Sequence, residues 1–320
     1  MDEDKRQELL DAKTNEALAA FIEKAIRRKT KMALLSTTSM LEKAKQDKHG
    51  IVAFNVHSFD SIFWVLEAAA DLKSPVILQT TVGTVKSLGA KNIVEVAKAA
   101  SEHFNIPTGL HLDHCTDFEV IKEAIRAGYT SVMIDASMHP FEENAARTKE
   151  VMNLAKSLGV NVEAELGKVG GVEDDIVVAE EDAEKAVPGE CKQFVELTGV
   201  PTLAPAIGTA HGIYKGKPDI DFDRIAEIAN LVDVPLVLHG GSAIPDEDVR
   251  RCVSLGMAKV NVSTELKNAY SAAIRKHFEQ EPDSLDPRAY LQKAKEAAID
   301  MAKSKIQMVG SEGRVVPSFV

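Results

Sequence analysis

From residue 50 onward the sequence keeps one rhythm, in which short β-branched or apolar runs alternate with longer stretches patterned as amphipathic helices. The runs are IVAFNV (51–56), PVILQT (75–80), TGLHLD (108–113), SVMIDA (131–136), NVEAEL (161–166), TLAPAI (202–207), PLVLHG (235–240) and KVNVST (259–264). Between them lie stretches such as SIFWVLEAAADL, KNIVEVAKAASEHF, DFEVIKEAIRAG, FEENAARTKEVMNLAKSLG, DFDRIAEIANLV and PDEDVRRCVSLG. Strands this apolar are buried on both faces, as in parallel sheets covered by helices. Eight of them in alternation with helices predict an α/β fold, a closed (β/α)8 TIM barrel. An open doubly wound sheet would instead want a GxGxxG turn after its first strand. Here that strand is followed by His57-Ser58-Phe59-Asp60.

A chain of 320 residues suits either one core of about 250 residues with additions or two domains of roughly 150, and the rhythm decides for one. Residues 1–31, where Leu9, Leu10, Phe21, Ile22, Ala25 and Ile26 recur among dense charges, read as an N-terminal helical extension. The barrel is expected over 32–313. After its last strand ELKNAYSAAIRKHFEQ and PRAYLQKAKEAAIDMAKSKIQMVG read as extra C-terminal helices, the first completing the barrel and the second an appendage; residues 314–320 read as a tail.

Lys plus Arg number 38 against 49 Asp plus Glu, a net charge of −11, so the overall field opposes nucleic acid and anionic membranes. Cys115, Cys191 and Cys252 form no CxxC pair and read as reduced thiols. No apolar run approaches the ~20 residues of a membrane span, and the acidic N-terminus lacks the apolar core of a secretory signal. These features predict a cytoplasmic protein.

Unusual polar residues gather at the carboxyl ends of the expected strands: Asn55, Asp113, His114, Asp135, Glu165, Thr209, His211, His239, Asn261 and Thr264. In a TIM barrel those ends converge on the face that carries active sites. A single histidine there is most simply a hydrogen-bonded rim residue. His114, His211 and His239 together make a three-ligand divalent metal site with an open position, the catalytic arrangement of zinc. His111 shares a strand face with Asp113 and reads as buried support, whereas Cys115 alternates away to pack. HGIYKG (211–216), HGGS (239–242) and NVST (261–264) offer backbone N–H groups, hydroxyls and Lys215 where barrels commonly bind a phosphate. In EAELGKVGGVEDD (163–175), Glu163 and Glu165 share a face, and the loop beyond bears Glu173, Asp174 and Asp175. That loop is either a mobile carrier of a catalytic carboxylate or a solvated acidic turn.

These segments resemble the class II, metal-dependent ketose-bisphosphate aldolases, the family of fructose-1,6-bisphosphate and tagatose-1,6-bisphosphate aldolases. The resemblance rests on AFNV (53–56), HLDH (111–114), SVMIDAS (131–137), VEAELGKVGGVEDD (162–175), AIGTAHGIYKG (206–216), PLVLHGGS (235–242) and KVNVSTELK (259–267), and runs from Met32 to Gly313. It implies a lyase that cleaves a ketose 1,6-bisphosphate reversibly to dihydroxyacetone phosphate and glyceraldehyde 3-phosphate. It further implies that His114, His211 and His239 bind a catalytic Zn2+. Asp113 would be the acid/base on the hydroxyl of the bond-breaking carbon, and Glu173 would handle the proton at the dihydroxyacetone phosphate carbon. Asp135 and Glu165 match a second or alternative metal site, and a monovalent cation is left open. Gly212, Gly240, Gly241, Ser242, Asn261, Val262, Ser263 and Thr264 match the segments that hold dihydroxyacetone phosphate, with Asn55 and Thr81 near the other end of the substrate. The family forms homo-oligomers, commonly dimers or tetramers.

Two positions depart from the family pattern. Ala243 stands where HGGSG has a glycine, a strained substitution if that position needs positive φ. Pro205 stands where Val is common and removes one ladder hydrogen bond. Fructose and tagatose bisphosphate differ at C4, which the motifs do not distinguish, and another phosphorylated ketose is the alternative substrate. A metal-dependent hydrolase would want an HxH pair on the first strand, which is absent. A non-catalytic sugar-phosphate-binding relative would not be expected to fill every matched catalytic position.

Overall fold

The computed structural model describes residues 34–173, 176–179, 183–212, 216 and 218–315, with the backbone alone at 172–173 and 176–177. The expected helix over 1–31 therefore lies outside the described residues, as do most of the tail, Asp174, Asp175, Lys215 and the Glu173 side chain.

The strands are β1 (Ile51–Asn55), β2 (Val76–Thr80), β3 (Thr108–Cys115), β4 (Ser131–Ile134), β5 (Asn161–Leu166), β6 (Gly170–Glu173), β7 (Ile176–Val178), β8 (Thr202–Pro205), β9 (Ala210–His211), β10 (Leu236–Leu238) and β11 (Met257–Val262). Eight of them close into a barrel in the order β1-β11-β10-β8-β5-β4-β3-β2, and every pair in it is parallel. These are the eight expected runs. Paired residues in a parallel ladder share a face, so the register sorts inside from outside. Ile51 lies opposite Lys259 and Ala53 opposite Asn261. Asn55 lies opposite Gln79, which lies opposite His111. Glu163 lies opposite Met133 and Thr202. These residues face inward. Val52, Phe54, Leu78, Leu110, Leu112, Val162, Leu203, Val260 and Val262 face outward and join the main apolar core beneath the helices. Pro205 has the outward parity too, so its ring lies on the helix side, away from the site.

The helices begin and end where side chains satisfy their free backbone groups. Ser58 and Ser61 form a capping box at the helix Phe59–Asp71. Asp117, Asp221 and Asp286 accept the N–H groups of Glu119, Arg224 and Arg288 at later helix starts. Gly128 and Gly199 stop two helices in the left-handed conformation.

The floor of the barrel is closed by the helix Thr37–Gln46. Met40, Leu41 and Ala44 pack against Ile51, Ala53, Ile77 and Ala258, the inward apolar residues at that end. A Cβ on Gly109 would come within 2.5 Å of Thr37 Cγ2, so the absence of a side chain lets the helix sit this close.

Three features depart from the sequence expectation. The sixth barrel strand stops at Pro205, so His211 does not sit at its end. Gly208, at φ 93°, turns the chain, and His211 falls on β9, which pairs with β6 in a separate sheet of order β7-β6-β9. Second, the roles of the last two helices are reversed. Pro287–Met308 packs on the helix Phe59–Asp71 and on β1, burying Ala294, Ala298, Ala302 and Ile306, whereas Thr264–Gln280 buries only Leu266 and His277. Third, helices at Thr37–Gln46, Val82–Leu88 and Pro188–Thr198 add to those read from the sequence.

Cys115, Cys191 and Cys252 are free and buried, and burial pushes their thiols up to about 11, 12 and 12 respectively. No described helix is long and apolar enough to cross a membrane. Leu41→Ala should open a void in the barrel floor and destabilise the fold by about 2–5 kcal/mol, read from the urea unfolding midpoint.

Candidate active site

His114 and Asp113 are consecutive, so simple alternation would send one of them outward. Both reach the interior because His114 adopts a left-handed backbone, φ 44°, where the β3/β4 register shifts between Leu112 and Cys115. A non-glycine residue there costs about 1–3 kcal/mol and is typically held by its surroundings at a functional site. The strand resumes with Cys115 facing the helix layer.

His114, His211 and His239 are all buried, and each offers a nitrogen within 4.8 Å of the others. Ring centroids lie 4.7 Å apart for His114 and His211, 4.6 Å for His114 and His239, and 5.8 Å for His211 and His239. Burial, and then neighbouring His114, push His211 and His239 well below the usual imidazole value, so both are neutral. His114 Nδ1 lies 2.8 Å from Asp135 Oδ2, and His239 Nε2 lies 2.8 Å from Glu163 Oε1. Ionised carboxylates only accept, so these two nitrogens carry the protons. His114 Nε2 and His239 Nδ1, on the far sides of the two rings, face each other at 2.9 Å. Three buried imidazoles gathered this closely, two of them backed by carboxylates, suit zinc and its first-row neighbours. The donor set therefore fits a divalent metal.

Asp113 is fully buried in a cradle of amides. Asn55 Nδ2 donates to its Oδ2 at 2.8 Å and Gln79 Nε2 at 3.2 Å, while Asn261 Nδ2 lies 3.5 Å from Oδ1. Gln79 also donates to Asn55 Oδ1 at 2.6 Å, which fixes the Asn55 amide so that its NH2 faces the carboxylate. Gln79 was absent from the sequence candidates. Its signal was a lone amide in the apolar run VILQT, on the same parity as Asn55.

Asp135, Glu165 and His114 form a second cluster that could hold a metal. Burial would raise the Asp135 carboxyl, but hydrogen bonds from His114 and Ser137 outweigh it and hold it well below the usual carboxylate range. Burial, then the charge of Asp135, pushes Glu165 up to about 8. Among the described residues its Oε2 has no hydrogen-bond partner, and it lies 3.7 Å from His239 Nδ1.

On the other side of the histidines, His211, Gly212, Gly240, Gly241, Ser242, Asn261, Ser263 and Thr264 line one small cavity. A Cβ on Gly241 would come 2.5 Å from the Asn261 carbonyl oxygen, and one on Gly240 would collide with the Ala210 carbonyl, so both glycines are required by close backbone approach. Ser242 Oγ accepts the N–H of Ser263 at 3.3 Å. Val262 has its side chain in the helix-facing core, which leaves only its backbone for this pocket. Asn55 lies under Asp113 rather than beside the glycines. Thr81 is buried at the start of the helix Val82–Leu88. The backbone of Glu173 ends β6.

Imidazoles converge beside a glycine-built pocket on the carboxyl face of a (β/α)8 barrel, the face on which barrel enzymes carry their active sites. The profile of the family described as Fructose-bisphosphate aldolase class-II matches residues 35–314, and the chain belongs to that family of lyases. The YdjI aldolase from Escherichia coli K12 is 31% identical in sequence and superposes with a TM-score of 0.78 over 88% of this chain and 100% of its own. Fructose-bisphosphate aldolase from Campylobacter jejuni, at 23% identity, shares the fold with a TM-score of 0.77 over 88% of this chain and 96% of its own.

Ala243, where the family pattern has glycine, does take a left-handed backbone, φ 62°. Ala243→Gly should therefore stabilise the fold by up to about 1 kcal/mol, seen as a higher denaturation midpoint. A second expectation concerns Glu165, whose carboxyl titrates near 4.5 when unfolded and at about 8 when buried. The folded chain keeps an extra proton between those values, so this group's contribution to stability is present below pH 4.5 and is lost as pH rises toward 8. In chelator-stripped protein, Glu165→Gln should gain stability relative to wild type from pH 5 to pH 8, measured by urea unfolding across that range.

Proposed function

We propose that this chain is a metal-dependent aldolase cleaving a ketose 1,6-bisphosphate, fructose or tagatose, reversibly to dihydroxyacetone phosphate and glyceraldehyde 3-phosphate. The observation that carries the reading is the convergence of His114, His211 and His239 beside the buried, amide-cradled Asp113.

The three histidines would hold Zn2+, which would supply positive charge and Lewis acidity to the ketose. Asp135 and Glu165 offer an alternative position for the metal with His114. Asp113 accepts the C4 hydroxyl proton during cleavage and returns it to the aldehyde oxygen in synthesis. Its amide neighbours aim the carboxylate. The phosphate of dihydroxyacetone phosphate is bound by backbone N–H groups and hydroxyls from Gly212, Gly240 to Ser242 and Asn261 to Thr264, at the start of a helix whose positive end favours an anion. Following the family resemblance, Glu173 at the end of β6 delivers the proton to the dihydroxyacetone phosphate carbon, and Asn55 and Thr81 lie toward the aldehyde portion. No Schiff-base lysine is needed. On this reading the protein works in the cytoplasm as a homo-oligomer, a dimer or a tetramer, which sedimentation of the purified chain measures.

A coupled assay for dihydroxyacetone phosphate, run side by side on the two bisphosphates, tests the reaction and ranks the substrates. Chelation should abolish activity, and borohydride with substrate should not. Asp113→Ala should lower kcat/KM by roughly 10²–10⁴-fold while leaving metal content unchanged. Full activity in a demonstrably metal-free preparation would overturn the reading, and tight sugar-phosphate binding without product would assign a binding protein instead.

A further inference from the structure

Deeper in the barrel His111, Asp113 and Glu163 form another cluster whose ligand atoms gather as closely as those of the three histidines. This cluster already contains its cation. The Lys259 ammonium lies 2.8 Å from Glu163 Oε2, and both side chains are only 1% exposed. His111 completes the surroundings, with Nδ1 at 2.6 Å from Ser131 Oγ and Nε2 at 3.7 Å from Glu163 Oε2.

A buried ion pair is expensive to desolvate, and apolar residues of similar volume often stabilise a fold as well or better. The adjoining interior layer of Ile51, Ala53 and Ile77 shows that apolar filling suits this barrel. The pair therefore calls for a reason other than stability, and the second carboxylate oxygen supplies one. Glu163 Oε1 takes the Nε2 proton of His239 at 2.8 Å, which leaves the lone pair of that ring at Nδ1, facing His114 Nε2.

We propose that the buried Glu163 and Lys259 pair is a positioning device for the metal centre. Lys259 anchors one oxygen of Glu163, and the other oxygen fixes the tautomer and ring angle of His239 so that Nδ1 points at the metal. A carboxylate behind a metal-bound imidazole commonly raises metal affinity 10- to 100-fold; here the carboxylate is itself held by an ammonium on a third strand. The proposal rests on reading His114, His211 and His239 as metal ligands.

Co2+ alone is the probe, since its visible absorption reports both binding and coordination geometry. Glu163→Gln leaves the Lys259 ammonium facing an amide, so the informative variant is the double substitution Glu163→Gln with Lys259→Met, which removes both charges of the pair together. It should unfold in urea at or above the wild-type midpoint, yet bind Co2+ 10- to 100-fold more weakly with an altered absorption band. Wild-type affinity and an unchanged spectrum in the double variant, with wild-type binding lost in His114→Ala and His211→Ala, would overturn the positioning role and leave the metal reading intact. Failure of wild-type protein to bind Co2+, or binding indifferent to those two alanine variants, would overturn both. A measurement on the unmodified chain adds an independent check. In histidine-labelled, metal-free protein, long-range 1H–15N correlation should show His239 as the Nε2–H tautomer; the Nδ1–H tautomer would overturn the proposal.

Discussion

A polar group taken out of water must be met by another, and in this molecule that demand is concentrated inside the barrel. Strand parity puts most large aliphatic side chains outside, under the helices, and above the inward layer of Ile51, Ala53 and Ile77 it leaves the interior to Asn55, Gln79, His111, Asp113, Glu163, Glu165, Lys259 and Asn261. None of these can be accommodated alone. Asp113 is met by amides from Asn55 and Gln79, Glu163 by Lys259 and His239, and His111 by Ser131. The same partnerships dictate which imidazole nitrogens are left for a cation. Structural satisfaction and site geometry are thus one set of contacts.

The apolar floor makes that arrangement tenable. Met40 and Leu41 seal the end of the barrel remote from the site, and Thr38 Oγ1 reaches in to Asn161 Oδ1 at 3.0 Å. Water is excluded from below, so the interior network is exposed to substrate only at the carboxyl face. Two left-handed non-glycine residues, His114 and Ala243, lie at that face. The first brings an imidazole inward against alternation, and the second follows the glycine pocket.

Much of this was legible in the chain. Parity within each run separates inward Asn55 from outward Phe54, and the strand bounds read from apolar runs fall within a few residues of those observed. The histidines and glycines stand out because such residues are rare in apolar strands. Other features were hidden for physical reasons. The partnership of Glu163 with Lys259 spans 96 residues of sequence, and no local pattern announces it. The consecutive placement of Asp113 and His114 defeats simple alternation, and only the backbone conformation at His114 resolves it. His211 looks like a strand end when TLAPAI is read as one run, but Pro205 and Gly208 interrupt that run. The exchange of roles between the two last helices was equally obscure, since both carry mixed apolar and charged faces, and tertiary packing chose between them.

That displacement of His211 has a mechanical consequence. Ala210 and His211 are tied by their backbone to Gly170 and Gly171, and a side chain on Gly171 would collide with the His211 carbonyl, so the two segments touch without a spacer. The strand gripped this way is the one whose last residue is Glu173. One of the three clustered imidazoles is therefore set by its backbone pairing to the strand Gly170–Glu173, while the other two, His114 and His239, are set by the barrel strands themselves, so the cluster is assembled from two separate sheets.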